Sequence, residues 1–262
     1  MRNLSLKRII YLLLTLIFNP LPAETSSFTF PGGKTKAILL SYDDGMESDR
    51  RFVELLNKYK LKGTFNLNSG FFGKQVSWLT WKPFYIESTE VKALYEGHEI
   101  ASHTDNHPDL TSLDLGAVRQ TVEQDRKKLV ILGGNTVTSF AYPFGKGDER
   151  TARRLENLGI TNARLITQKG DFGLPQDWLL WKPTAHHSTA GPFVEKFFAQ
   201  QKQELSLLYI WGHSWELEKN EPGNSWEYME DLCRKLSGHR DVWYTTTGEF
   251  TAWVKSQGGN GL

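Results

Sequence analysis

Residues 41 to 45 read Ser-Tyr-Asp-Asp-Gly and follow directly on the apolar run Ala37-Ile38-Leu39-Leu40. Two adjacent carboxylates after a strand either turn the chain or deliver oxygens for metal binding and acid–base work. A second polar cluster, His103-Thr-Asp-Asn-His107, carries imidazoles four residues apart. On a helical turn both would point the same way, as a metal ion requires. Alone, such a pair is weak evidence and reads first as a surface turn. Beside a neighbouring Asp-Asp pair it points to a metal centre. Two neutral imidazoles and one carboxylate leave open positions on a zinc ion for water and substrate, which is a catalytic arrangement. The spare carboxylate is then placed to act as a base.

These groups need elements to carry them to one place. Short β-rich apolar runs predict strands at 36–42, 63–67, 98–102, 137–142, 160–165, 180–186, 207–213 and 242–245. Helical periodicity predicts helices over 48–59, 89–96, 114–132, 148–158, 192–204, 225–236 and 247–256. Asp114 and Asp148 stand where N-caps belong, and Gly97 and Gly159 follow helix ends. Alternating strands and helices point to a parallel α/β barrel, regular or distorted, in one domain. In such barrels chemistry collects where strands end. The polar residues obey that rule: Asp43 and Asp44, Asn66 and Asn68, His103 and His107, Tyr142, Arg164, His186 and His187, and His213 all fall there.

The bulk composition fits a soluble globular chain, with 39% hydrophobic and 23% charged residues among 262. A net charge of +1 gives no sign of a nucleic-acid partner. Arg2, Lys7 and Arg8 precede the apolar run 9–18, and Asn19-Pro20-Leu21-Pro22-Ala23 then breaks it. This run is too short to anchor the chain stably in a membrane, so residues 1–23 are expected to be a signal peptide, with the catalytic domain over 24–262. A secreted or periplasmic protein follows. The single cysteine, Cys233, has no partner for an internal disulfide, so stability must come from a large core.

Together the motifs resemble those of polysaccharide deacetylases, the NodB-homology group of carbohydrate esterase family 4. SYDDG is similar to that family's TFDDG, SHTDNHP to its H-[ST]-x-x-H-P, FAYPFG to its R-x-P-[YF], and LLYIWGH to its late strand ending in a histidine. The resemblance spans residues 36–215 and implies a distorted (β/α)7 barrel of TIM-like type. It implies Asp44, His103 and His107 as ligands to Zn2+, or to another divalent ion such as Co2+ or Ni2+. It further implies Asp43 as general base, the Phe144 backbone N–H as oxyanion donor, and His213 as the acid that protonates the leaving group. The substrate would be an acetylated glycan.

Two family positions differ here. The arginine of the third motif aligns with Ala141, and Arg164 at the next strand end is a candidate to hold Asp43 instead, with a surface ion pair as the equal alternative. The aspartate that pairs with the late histidine has no counterpart at the usual spacing; the region carries Trp-Lys-Pro-Thr-Ala-His186-His187, where His187 is expected to line the cleft and His186 to pack. Tyr142 and Trp215 are expected to contact sugar, whereas Trp78, Trp81 and Phe84 are assigned to the core. N-deacetylation of an N-acetylhexosamine glycan is the expected reaction. The alternatives are an O-acetyl esterase of xylan type, a cyclic-amide hydrolase, which export argues against, and a non-catalytic glycan-binding protein. A decayed site would have lost the base, the ligands or the late histidine, and all are present.

Overall fold

The computed structural model describes residues 29–133, 135–200 and 205–258; the expected signal segment lies outside them. The first strand, β1 (Lys36–Asp44), is buried along its whole length, as expected of a parallel strand covered on both faces. After it come α1 (Asp49–Lys58), β2 (Thr64–Leu67), α2 (Val91–Leu94), β3 (Glu99–Ser102), α3 (Leu115–Gly133) and β4 (Ser139–Ala141). The second half holds α4 (Glu149–Asn157), β5 (Asn162–Arg164), β6 (Ala185–His186), α5 (Gly191–Ala199), β7 (Ser206–Gly212), α6 (Trp226–Leu236), β8 (Val242–Tyr244) and α7 (Thr247–Ser256). Every expected strand and helix has a counterpart. Asp148 caps α4 by accepting from the Thr151 amide, while the Thr151 hydroxyl accepts from the Asp148 amide.

The strands form one curled parallel sheet in the order β5-β4-β3-β2-β1-β7-β6, with β8 also on β1. Along one edge β1 pairs with β7 from Lys36 to Tyr42. Its other edge is divided: residues 36–38 take β8, and residues 41–44 take β2. The ring closes through the segment before β6, where Trp181 bridges Arg164 in parallel and Ala185-His186 pair with Ile210 and Trp211. This is a distorted (β/α)7 barrel. The strand expected over 180–186 is cut to two residues because Pro183 interrupts it and has no N–H to donate to a ladder.

The main core lies between sheet and helices, built from residues such as Ile38, Phe52, Leu56, Phe65, Leu208, Ile210, Met229 and Leu232. A smaller cluster of Met46, Val76, Leu79, Tyr85 and Trp215 seats the insertion around residues 71–87 on the rim. That insertion corrects the assignment of its aromatics to the core: Trp78, Trp81 and Phe84 are 57%, 43% and 46% exposed. Its buried half plugs the rim through Val76, Leu79 and Tyr85, leaving these three rings outside. Among the described residues, no helix is long and apolar enough to cross a membrane.

Candidate active site

Because β1 to β7 run in parallel, their C-terminal ends meet at one mouth. A cavity of about 500 Å3 opens there, lined among others by Asp43, Asp44, His103, His107, Tyr142, Phe144, His213 and Trp215. Its size is that of an ordinary small-ligand pocket.

Adjacent strand residues normally face opposite sides of a sheet. Asp44 escapes this alternation by adopting a left-handed backbone, φ 82°, and both carboxylates line the cavity. His107 (φ 54°) and Phe144 (φ 57°) are left-handed as well. Such conformations in non-glycine residues persist only where the surroundings enforce them, and they concentrate at functional sites.

Asp43 is nearly inaccessible and held on three sides. Arg164 Nη2 donates to both carboxylate oxygens, at 2.5 and 2.6 Å, and Asn66 Nδ2 donates to Oδ1 at 2.8 Å. Burial pushes the Asp43 carboxyl upward, but Arg164, His103 and His213 outweigh it and hold the group below its ordinary value. Arg164, itself 1% exposed, has its guanidinium 4.9 Å from the Trp211 ring centroid. The arginine that the sequence lacks at Ala141 therefore reaches the same carboxylate from β5.

One ligand atom from each of Asp44, His103 and His107 lies within 4.8 Å of the others. His103 Nδ1 stands 2.7 Å from the Ala141 carbonyl. A carbonyl only accepts, so Nδ1 carries a proton, and Nε2 faces Asp44 Oδ1, 3.8 Å away. Burial, and then His103, keep His107 neutral with its pKa lowered to about 4. Two imidazoles and one carboxylate are the donor types of a catalytic zinc site.

On the opposite wall, His213 follows β7 directly. Its Nδ1 lies 3.2 Å from Glu216 Oε2, and its Nε2 faces Asp44 Oδ2 at 4.0 Å. Glu216 is a site residue that the sequence reading missed; its only signal was the His-x-x-Glu spacing of His213-Ser-Trp-Glu216. The same Oε2 sits 2.8 Å from His186 Nε2. The Ser188 amide donates to His186 Nδ1 at 3.3 Å, so the His186 proton is on Nε2 and points at Glu216. These directions make the trio a hydrogen-bonded clamp. Burial raises the Glu216 carboxyl, yet the two histidine bonds drive it far below the carboxylate range. His213 moves the other way. Burial lowers it, but Glu216, Asp44 and Asp43 together raise it to about 9.

Of the histidine pair, His186 packs against Trp211 as expected, its ring hydrogen-bonded to Ser188 and Glu216, whereas His187 does not line the cleft. His187 has no accessible surface; it stacks on Tyr42 at 5.7 Å and lies 2.9 Å from Asn224 Oδ1 through Nε2. Its ring also fills the space over Gly212, where an added Cβ would come within 1.9 Å of Nδ1. His187 is thus a packing residue outside the cavity, and His186 reaches the site only through Glu216. Tyr142 lines the cavity wall with its hydroxyl donating to the Leu179 carbonyl at 2.8 Å. Phe144 is 55% exposed on the rim, with its ring 4.5 Å from His107. Trp215, expected to meet sugar, is buried and donates its indole N–H to Asp44 Oδ2 at 2.8 Å.

The geometry agrees with what known proteins share with this chain. A family model described as polysaccharide deacetylase matches residues 31–163. A peptidoglycan-N-acetylglucosamine deacetylase of Listeria monocytogenes is 23% identical over 216 residues, covering 76% of this chain and 44% of that protein. A chitin deacetylase of Amylomyces rouxii is 30% identical over 130 residues, 47% of this chain and 27% of that one. The chain thus spans less than half the length of these curated relatives. Among solved structures, a putative polysaccharide deacetylase from Mycobacterium smegmatis superposes with a TM-score of 0.64 at 14% identity, over 88% of this chain and 94% of that one. A family 4 carbohydrate esterase from Streptomyces lividans gives 0.51 at 16% identity, over 80% and 91%; both likenesses concern the fold. With half the chain under one family model, and with that model's span carrying the Asp-Asp pair and both histidines of the 103–107 turn, the protein belongs to the polysaccharide deacetylase family.

Proposed function

We propose that the chain is a metal-dependent hydrolase that removes acetyl groups from N-acetylhexosamine residues of a glycan outside the cytoplasm. The observation that carries this reading is the division of labour between neighbours. Asp43 is held by Arg164 and Asn66 and kept anionic, while Asp44 is turned beside His103 and His107. The nitrogen-linked substrate follows the names of the relatives, which act on peptidoglycan N-acetylglucosamine and on chitin.

Asp44, His103 and His107 would hold the cation, zinc being the ion that suits this donor set. When bound, such a cation supplies Lewis acidity, polarising the acetyl carbonyl and making water more acidic. Asp43 takes a proton from the attacking water as general base, with Arg164 and Asn66 fixing the direction of its oxygens. The Phe144 amide is the proposed donor to the developing oxyanion. His213 gives the Nε2 proton to the departing nitrogen, and Glu216 holds Nδ1 so that Nε2 faces the cavity. Tyr142 shapes the wall against which the acetyl-bearing sugar lies.

Acetate release tests the whole reading. The full chain is offered N-acetylated and O-acetylated glycans, with and without a chelator. Chelator-sensitive release from N-acetylated oligomers is expected. No release from any member of the panel, at full metal content, would reject the assignment.

A further inference from the structure

Trp215 does not have the surroundings of a sugar platform. Stacking on a pyranose needs an open aromatic face, and Trp215 is only 8% exposed. Lys219 Nζ lies 4.9 Å from its ring centroid, the Trp78 ring meets it edge-on at 5.1 Å, and His213 lies at 5.0 Å. Met46, Val76, Leu79 and Tyr85 share a buried cluster with it. The indole is wedged, and its polar edge has one acceptor, Asp44 Oδ2 at 2.8 Å. The other oxygen, Oδ1, is the one that faces His103 Nε2.

A carboxylate turns easily about its last torsion, which has broad minima. At Asp44 a charge-assisted N–H···O bond removes that freedom. We infer that Trp215 is a positioning residue for the cation: its indole N–H pins Asp44 Oδ2 and so presents Oδ1 to the space shared with His103 and His107. The insertion around residues 71–87 then has a role beyond covering the rim. By packing Val76, Leu79 and Tyr85 against Trp215 it braces the indole that holds Asp44. This inference rests on the proposed metal centre. Its consequence is on affinity, because groups that orient metal ligands are typically worth about 10- to 100-fold in metal binding.

Trp215→Phe keeps the ring and deletes the donor. Zinc affinity of the full chain is measured by competition with a chromophoric chelator, alongside wild type and His103→Ala. Trp215→Phe should bind zinc about 10- to 100-fold more weakly, and saturating zinc should restore most of its kcat. Affinity within twofold of wild type, while His103→Ala loses zinc, overturns the role of Trp215 and leaves the metal centre standing. Zinc held equally by wild type and His103→Ala overturns both. Should Trp215→Phe fail to fold, the assigned indole N–H resonance of Trp215 in the wild-type protein decides. Slow solvent exchange and a shift on zinc addition support the inference, and free exchange with no response to zinc overturns it.

Discussion

Arg164 Nη2 straddles the carboxylate of Asp43, 2.5 Å from one oxygen and 2.6 Å from the other, although 121 residues separate them in the chain. Both groups are buried, so the pair has little competition from water, and losing one member strands the other. Removing one partner of a buried ion pair costs about 3–5 kcal/mol. Arg164→Ala should therefore lower thermal stability as well as turnover. Asp43→Asn, which leaves Arg164 unpaired, should also lower thermal stability, while it keeps the cation and abolishes acetate release. Unchanged kinetics in Arg164→Ala would remove this arginine from the machinery.

The ligand set makes a simpler statement. His103→Ala and His107→Ala should each lose zinc, as read by elemental analysis of the purified protein after dialysis, and each should release no acetate. Metal content equal to wild type in either variant would strike that residue from the set.

Glu216 is the first of the groups that lift His213, ahead of Asp44 and Asp43, so Glu216→Gln should let the imidazole lose its proton at lower pH. A catalytic acid works only while protonated, and the rate falls as pH rises through its pKa. The alkaline limb of the kcat profile should consequently shift to lower pH in Glu216→Gln, with KM little changed. Glu216→Asp should recover part of the shift. A limb that stays in place would mean that Glu216 shapes the loop without tuning the acid.

Asp49, at the start of α1, gives a pH signature in stability. It is buried beside the Ser214 hydroxyl and accepts from the Tyr95 hydroxyl at 2.6 Å. Burial raises its carboxyl from 3.8 to about 7, against the lowering effect of these two bonds. Between those values the folded protein holds a proton that the unfolded chain has released. Stability contributed by this group is thus present at low pH and lost as pH rises from about 4 to about 7. Denaturant unfolding across that range should show a decline from this group, and Asp49→Asn should flatten it. A slope identical in the variant would refute the assignment.

Much of this arrangement was legible in the chain. Periodicity located every strand and helix because the buried faces are long and regular in β1, β7 and most helices. The strand-end rule gathered Asp43, Asp44, His103, His107 and His213, and it proposed Arg164 from position alone. Failures came where regular structure stops. Pro183 shortens β6 to two residues, so alternation had no length over which to show that His187 faces away from the cavity, and a 3-10 turn begins at that residue. Glu216 was missed because its contacts arise from the turn after β7, whose course no period encodes. The exposure of Trp78, Trp81 and Phe84 was equally hidden, since hydrophobicity does not reveal which side of an inserted loop is buried.

The left-handed backbone at Asp44 narrows what a random library at that codon would return. Branching at Cβ is sterically hostile to such a conformation, whereas asparagine accepts it readily. Selection for folded survivors should therefore enrich Asn and Gly and deplete Val, Ile and Thr, whatever the assay says of catalysis. The shape of one peptide unit limits that codon's repertoire before chemistry has any say.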